Sequence, residues 1–341
     1  MSHRKALRLF ASIGLARQMS TLLKFKVTVV SVVLALAFMS LGAEVTAAAD
    51  RTLPSVSPAS SKPGPPVVSP EKEEHGLSQK AEEIARFASF SITNSIVVTW
   101  IVAVGLIVFA HLATRNMRPV PGGMQNLFEW LVESLYSFLE GIIGPHLVKR
   151  TFWFFATIFI FILTTNWMGL LPGVGSIGWG HRTSDGFVID HPLFRGVNAD
   201  VNMTLAMALV FFACWIVWAL QEVGPAGFLK ELFAPKGETS GMLKLLMICV
   251  FFVAGCLEVV SILIRPVSLS FRLYGNVFAG ENLLEAMAKM VPGFGWLLPI
   301  PFYLLELLVG LVQALVFMLL TAVFTMLICQ HEEKAPALAH H

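Results

Sequence analysis

Arg272 lies in an apolar stretch long enough to cross a membrane, inside the run Pro266-Val-Ser-Leu-Ser-Phe-Arg-Leu-Tyr-Gly-Asn-Val-Phe-Ala-Gly-Glu281. An arginine at bilayer depth costs roughly 3 to 15 kcal/mol, depending on the reference state. Its guanidinium stays charged at any accessible pH. A permanent cation in a low dielectric is suited to handling something negative that passes by. With Arg272 taken as zero and about 100° per residue, Glu258, Ser261, Arg265, Ser268 and Asn276 all fall within about 40° of it. Spacings of three and four residues thus gather these polar groups on one narrow face of an otherwise apolar helix. Lipid does not tolerate such a face, which must look onto protein or a water-filled crevice.

Glu281, nine residues beyond Arg272, falls about 180° away on the same helix. Two polar environments therefore flank one helix, and the geometry disfavours an Arg272–Glu281 neutralising pair. Glu306 and Gln313, seven residues apart, share a face of the last apolar segment, which would return antiparallel and bring Glu306 near the level of Glu281. Asn198, Asp200 and Asn202 crowd the outer end of the third apolar segment. Asp200, Glu281, Glu306, Asn276 and Gln313 could line a hydrated path from outside to mid-membrane, and Glu258, Ser261 and Ser268 a second path towards the inside. This is the pattern of a proton or cation relay. Plainer readings stand beside it: Gln313 or Ser268 as an interhelical hydrogen bond, and Arg265 as an ion partner of Glu258.

The elements that must position these groups are membrane spans. Of the 341 residues 56% are apolar and 13% charged, with a mean hydropathy of +0.73. That balance lies outside the range of soluble domains. The net charge of +2 comes without basic blocks, so nucleic acid is not an expected partner. Cys214, Cys249, Cys256 and Cys329 lie singly in apolar segments, without metal or redox spacing, and read as buried free thiols. Hydropathy gives an all-α polytopic fold with about five transmembrane spans, near Ile92–Ala113, Phe152–Leu171, Val201–Gln221, Leu243–Met290 and Phe302–Cys329. The last two are long, so they should tilt, with Pro266 as a place to bend. Between the first two spans an amphipathic helix, Met124–Ile143, sets Glu129, Glu133 and Glu140 opposite Phe128, Leu131, Leu135 and Leu139, as a surface helix would. A shorter amphipathic helix is expected over Leu77–Phe90.

Residues 1–49 read as a signal-like targeting segment: basic residues, an apolar run from Val27 to Leu41, then Ala47-Ala48-Ala49, with Met19 an alternative start. Residues 50–76 form a Pro/Ser-rich linker, residues 77–330 the membrane domain and residues 331–341 a polar tail. If the first span runs outside to inside, the inner loops carry Arg115, Arg118, Lys149, Arg150, Lys230, Lys236 and Lys244. The outer loops carry Arg182 and Arg195. This asymmetry places the N-terminus outside and the C-terminus inside.

The run Glu258-Val-Val-Ser-Ile-Leu-Ile-Arg-Pro-Val-Ser-Leu-Ser-Phe-Arg-Leu-Tyr-Gly-Asn-Val-Phe-Ala-Gly-Glu281 resembles the signature of subunit a of the F-type ATP synthase, and Gln313-Ala-Leu-Val-Phe-Met-Leu-Leu-Thr resembles that family's second signature. Asp200-Val-Asn-Met-Thr-Leu-Ala-Met-Ala-Leu and Asn166-Trp-Met-Gly-Leu-Leu-Pro match weaker ones. The resemblance spans roughly residues 90–330. It implies a stator subunit whose two long C-terminal helices form a hairpin against a rotating ring of small subunits (the c-ring), each bearing a membrane-embedded carboxylate. The implied partners are the c-ring subunits, the peripheral-stalk b subunits, other ATP synthase subunits and membrane lipid. In the family, the arginine matched by Arg272 faces the ring carboxylate and separates two aqueous half-channels. Asn276, Glu281, Glu306 and Gln313 match inlet positions, with Asp200 near the mouth, and Glu258, Ser261 and Ser268 match outlet positions. Where some members carry histidine, this chain carries Glu306, which makes the inlet all-carboxylate.

The resemblance implies an ion-translocating subunit with no cofactor. The chain shows no phosphate-cradling Gly-rich loop with Lys-Ser/Thr for ATP chemistry. The signal-like start favours a bacterial plasma membrane over an organellar inner membrane. A sodium-translocating version fits the same residues. A secondary transporter would show an internal repeat with broken helices in both halves, and a haem or quinone subunit would need facing membrane histidines, which the spans all but lack. A purely structural scaffold would not need an arginine-centred stripe.

Overall fold

The computed structural model describes residues 83–329 apart from 88–89, 116–121, 172–173, 175–176, 184–185, 234–241 and 291–296. The targeting segment, the linker and the polar tail lie outside the described residues. Among those described the order is β1 (Glu83–Phe87), β2 (Phe90–Thr93), α1 (Asn94–Arg115), α2 (Gly123–Gly169), β3 (Gly178–Thr183), β4 (Gly186–Pro192), a 3-10 turn (Val197–Ala199), α3 (Val201–Glu222), α4 (Pro225–Phe233), α5 (Met242–Met290) and α6 (Pro299–Cys329). Five of these helices are long and apolar enough to cross a membrane. The protein is an all-α polytopic membrane protein with two small hairpins added between its helices.

The helix expected over Leu77–Phe90 is corrected. Residues 77–82 lie outside the described residues, and Glu83–Phe87 and Phe90–Thr93 instead pair as antiparallel strands, with Ala85 opposite Ile92 and Phe87 opposite Phe90. Phe90-Ser-Ile-Thr is a β-branched and aromatic run that fits a pleated surface, and this outweighs the short helical period before it. A second hairpin, β3–β4, fills the connection between α2 and α3.

The surface helix and the second span form one long element, α2, broken at Gly144 (φ 80°, ψ 163°). That conformation is essentially open to glycine alone. Pro145 follows, and it suits the first position of a renewed helix. The helix that carries the second span thus resumes at Pro145, before the expected Phe152. Leu135 and Leu139 are buried while Glu133 stays exposed, as the amphipathic pattern requires.

The core lies between α2, α3 and α6. Phe154, Phe155 and Trp218 meet edge to face at ring separations of 5.4–5.9 Å, and Trp215 Nε1 donates to the Phe324 carbonyl at 3.2 Å. On the same end of the bundle Arg150 is paired with Glu222 and Gln221, tying α2 to α3. At the other end Asp200 caps α3, accepting from the Asn202 amide at 3.0 Å and from Ser95 Oγ at 2.6 Å. That satisfies one of the orphan donors of the first turn.

α5 has 49 residues, a length of about 74 Å against a hydrocarbon core of about 30 Å. It is a single helix through Pro266. α6 returns antiparallel, since Asn276 meets Gln313 while Gly280 meets Glu306. Only 6% of the most apolar stretch of α5 is buried within the chain. Two cysteine expectations are corrected for the same reason: Cys249 and Cys256 lie exposed on α5, because the rest of the chain does not cover that face.

Replacing Gly144 by alanine should destabilise the protein by about 1–3 kcal/mol. An added Cβ meets nothing within 4 Å, so the cost is purely backbone strain. A lowered thermal midpoint of the purified protein is expected, and an unchanged one would contradict the reading of this break.

Candidate functional site

The site is built where α5 and α6 run side by side against the end of α2. Their polar residues line a narrow crevice, with Asn166, Asn276, Glu281, Glu306 and Gln313 supplying its polar atoms. Asn276 Nδ2 donates to Gln313 Oε1 at 2.7 Å. Asn166 Nδ2 donates to the Gly310 carbonyl at 3.0 Å, and its Oδ1 accepts from Asn198 Nδ2 at 2.7 Å. Asn198 also donates to Thr165 Oγ1 at 2.8 Å. A buried amide chain therefore joins α2, the 3-10 turn and α6 at one level, with Asn198 Oδ1 and Gln313 Nε2 left without a partner among the described residues.

Glycines make room for both carboxylates. A Cβ at Gly196 would collide with Glu281 Oε1, and one at Gly169 would stand 3.5 Å from the same atom. A Cβ at Gly280 would collide with the Glu306 carboxyl group. Glu281 is thus seated in a slot walled by two glycine backbones, one on α2 and one beside the 3-10 turn. Both of its carboxyl oxygens are shielded, and neither has a hydrogen-bond partner among the described residues. Charge on such a group is costly without a nearby counter-charge. Arg195, next to the Gly196 wall, carries the opposite charge, and Glu306, which lines the same crevice, the like one.

Arg272 is the counterpart. It is exposed, and no hydrogen bond or ion pair engages it among the described residues. Glu281 lies across the helix from it, in contact with α2 and the turn. Glu258 is engaged elsewhere, accepting from Arg265 Nη2 at 2.8 Å, and the Arg265 guanidinium also sits 4.6 Å over the Phe324 ring. Ser261 and Ser268 are exposed beside them. The polar stripe is therefore left open by the chain itself, with its arginine unmatched.

The sequence-derived residues separate into three groups. Asn276, Glu281, Glu306 and Gln313 come together around the crevice. Arg272, Glu258, Ser261 and Ser268 share the uncovered face of α5. Asp200 is not among the crevice-lining residues, and its contacts are those of a helix cap held by Ser95. Asn166 and Arg195 were absent from the candidate residues. Arg195 had been counted only as an outer-loop charge, whereas it is 5% exposed and folded into the site. The signal available for it is a lone arginine next to glycine, six residues before the third span.

With this geometry in place, comparisons with known proteins point one way. The family model described as ATP synthase A chain matches residues 96–326. The ATP synthase subunit a of Trichlorobacter lovleyi is 32% identical over 249 residues, covering 73% of this chain and 92% of the relative. That of Moorella thermoacetica is 31% identical over 242 residues, covering 71% and 93%. ATP synthase subunit a 3 of Pelobacter propionicus is 33% identical over 226 residues, covering 66% and 83%.

If the Asn276–Gln313 bond ties α5 to α6, alanine at either position should weaken the same contact. A double-mutant cycle on thermal stability should give a coupling of about 0.6–1.7 kcal/mol. Strict additivity would show that the two side chains act separately.

Proposed function

The chain belongs to the ATP synthase A chain family, and from that premise we propose that it carries protons to and from a ring of carboxylate-bearing c subunits, coupling their flow to ATP synthesis. Membership makes it a multi-pass, membrane-sector subunit of the F-type ATP synthase, assembling with other subunits of that complex. The half-channels, the ring, the stalk contacts and the choice of ion are our reading. So are the absence of ATP chemistry on this chain, the bacterial plasma membrane as its location and the outside position of its N-terminus.

The observation that carries the reading is Arg272: exposed, unpaired among the described residues and set on an apolar helix face that the chain does not cover. A partner must occupy that face, and the charge asks for an acidic one. A protonated ring carboxylate is neutral and faces lipid at little cost, whereas an ionised one does not. Arg272 favours the ionised form as each carboxylate passes, so a proton leaves on one side of the arginine and is replaced on the other. Its charge also repels a proton that would pass directly between the two paths. The crevice of Asn276, Glu281, Glu306 and Gln313 acts as inlet. The stripe of Glu258, Ser261 and Ser268 acts as outlet, with Arg265 holding Glu258. Each proton falling through about 100 mV releases about 2.3 kcal/mol, so several are needed per ATP.

Arg272→Ala in the assembled complex should abolish ATP-driven proton pumping and ATP synthesis and open a passive proton leak. Pumping is read as acidification of inverted membrane vesicles on addition of ATP. Pumping retained near the wild-type rate would overturn the mechanism.

A further inference from the structure

Arg195 is a second buried arginine for which the mechanism above has no task. It lies in the connection between β4 and the 3-10 turn, 5% exposed. Its Nη2 donates to the Ala199 carbonyl at 3.1 Å, folding the guanidinium back over the turn. Val197, Asn198 and Ala199 are each fully buried, and Asn198 bolts the turn to Thr165 and Asn166 of α2. The cation is therefore held on a rigid support. The adjacent residue, Gly196, forms a wall of the slot that seats the Glu281 carboxylate.

We propose that Arg195 is a positioning residue of the inlet, a second fixed cation one residue from the Gly196 wall of the Glu281 slot, which sets the electric potential in which that carboxylate exchanges protons. This rests on the reading of the crevice as a proton path. Around Glu281, Arg195 adjoins the Gly196 wall, Glu306 of α6 lines the same crevice, and Glu285 lies one turn further along α5. The end of α2 offers Gly169 and the neutral Asn166, and Arg272 is on the far side of α5. One fixed cation with two carboxylates is neutral when the group carries one proton. A low dielectric favours the neutral state, so the cluster takes up and passes on a single proton at a time. Arginine suits the post because it cannot itself give up a proton to the path. Without the cation, neutrality would require two bound protons, and the path would hold its proton more tightly.

The test is the rate of ATP synthesis by the complete complex in liposomes, measured against the pH on the inlet side at constant total driving force. Arg195→Gln should move the half-maximal pH to the alkaline side by about one unit or more, the size of effect an opposite charge at close range produces. Arg195→Lys should keep the wild-type midpoint, even if its maximal rate is lower. Arg195→Met is a second neutral variant should the glutamine variant fail to assemble. A wild-type midpoint in an assembled neutral variant overturns the proposal, and so does failure of both neutral variants to assemble, which would make the residue structural. If Glu281→Gln retained the wild-type pH dependence, the inlet reading itself would fall, which separates the two outcomes.

Discussion

A guanidinium in a low dielectric has no way to shed its charge, so its surroundings must answer for it. In this chain they do not. Glu258 is taken by Arg265, Glu281 sits on the opposite side of α5, and Glu306 lies against Gly280. The helix that carries Arg272 is buried along only 6% of its most apolar stretch. An unmatched charge on an uncovered apolar face is unstable as a property of one chain alone and intelligible as half of an interface. The rest of the fold follows from holding that face open: α2, α3 and α6 pack behind α5, and their aromatic core keeps the back of the helix fixed while its front stays bare.

Behind the arginine the molecule arranges charge differently. The carboxylates of Glu281 and Glu306 are accommodated where glycine leaves space, not where donors surround them. A carboxylate bonded by several donors is locked in its ionised form, which would suit a structural anchor and obstruct proton exchange. A slot of bare backbone, with a cation and a second carboxylate at its edge, leaves the group able to change its protonation. The amide chain from Asn198 through Asn166 to α6 fixes the walls without itself titrating. Front and back of α5 are thus chemically distinct, an unmatched arginine on the bare face and a carboxylate in a glycine-walled slot on the other.

Much of this was legible in the sequence because helical phase is a local property. Nine residues separate Arg272 from Glu281, and that spacing alone sets them on opposite sides. Seven residues set Glu306 and Gln313 on one face. What could not be read depends on where the chain returns. Arg195 counts as a loop charge until the 3-10 turn is seen to bury it beside the Gly196 wall of the Glu281 slot. Asp200 reads as a path residue because it is an acid among asparagines, and its hydrogen bond from Ser95, more than a hundred residues earlier, has no signal in the sequence. Nothing in the sequence marks that the atom packed against Gly280 and against Gly196 belongs to a carboxylate. The hairpin at 83–93 escaped because a short run of mixed residues supports either a helical or a pleated pattern, and pairing across the turn decides between them.

The most direct measurement is a disulfide cross-link in intact membranes between this chain and a c subunit carrying cysteine beside its acidic residue. Cysteine at Ser268, exposed one turn from Arg272, should cross-link on oxidation. Cysteine at Leu273, next to the arginine in sequence but fully buried against the chain's own helices, should not. A cross-link from both positions or from neither would contradict the claim that the bare face of Arg272 meets a passing carboxylate.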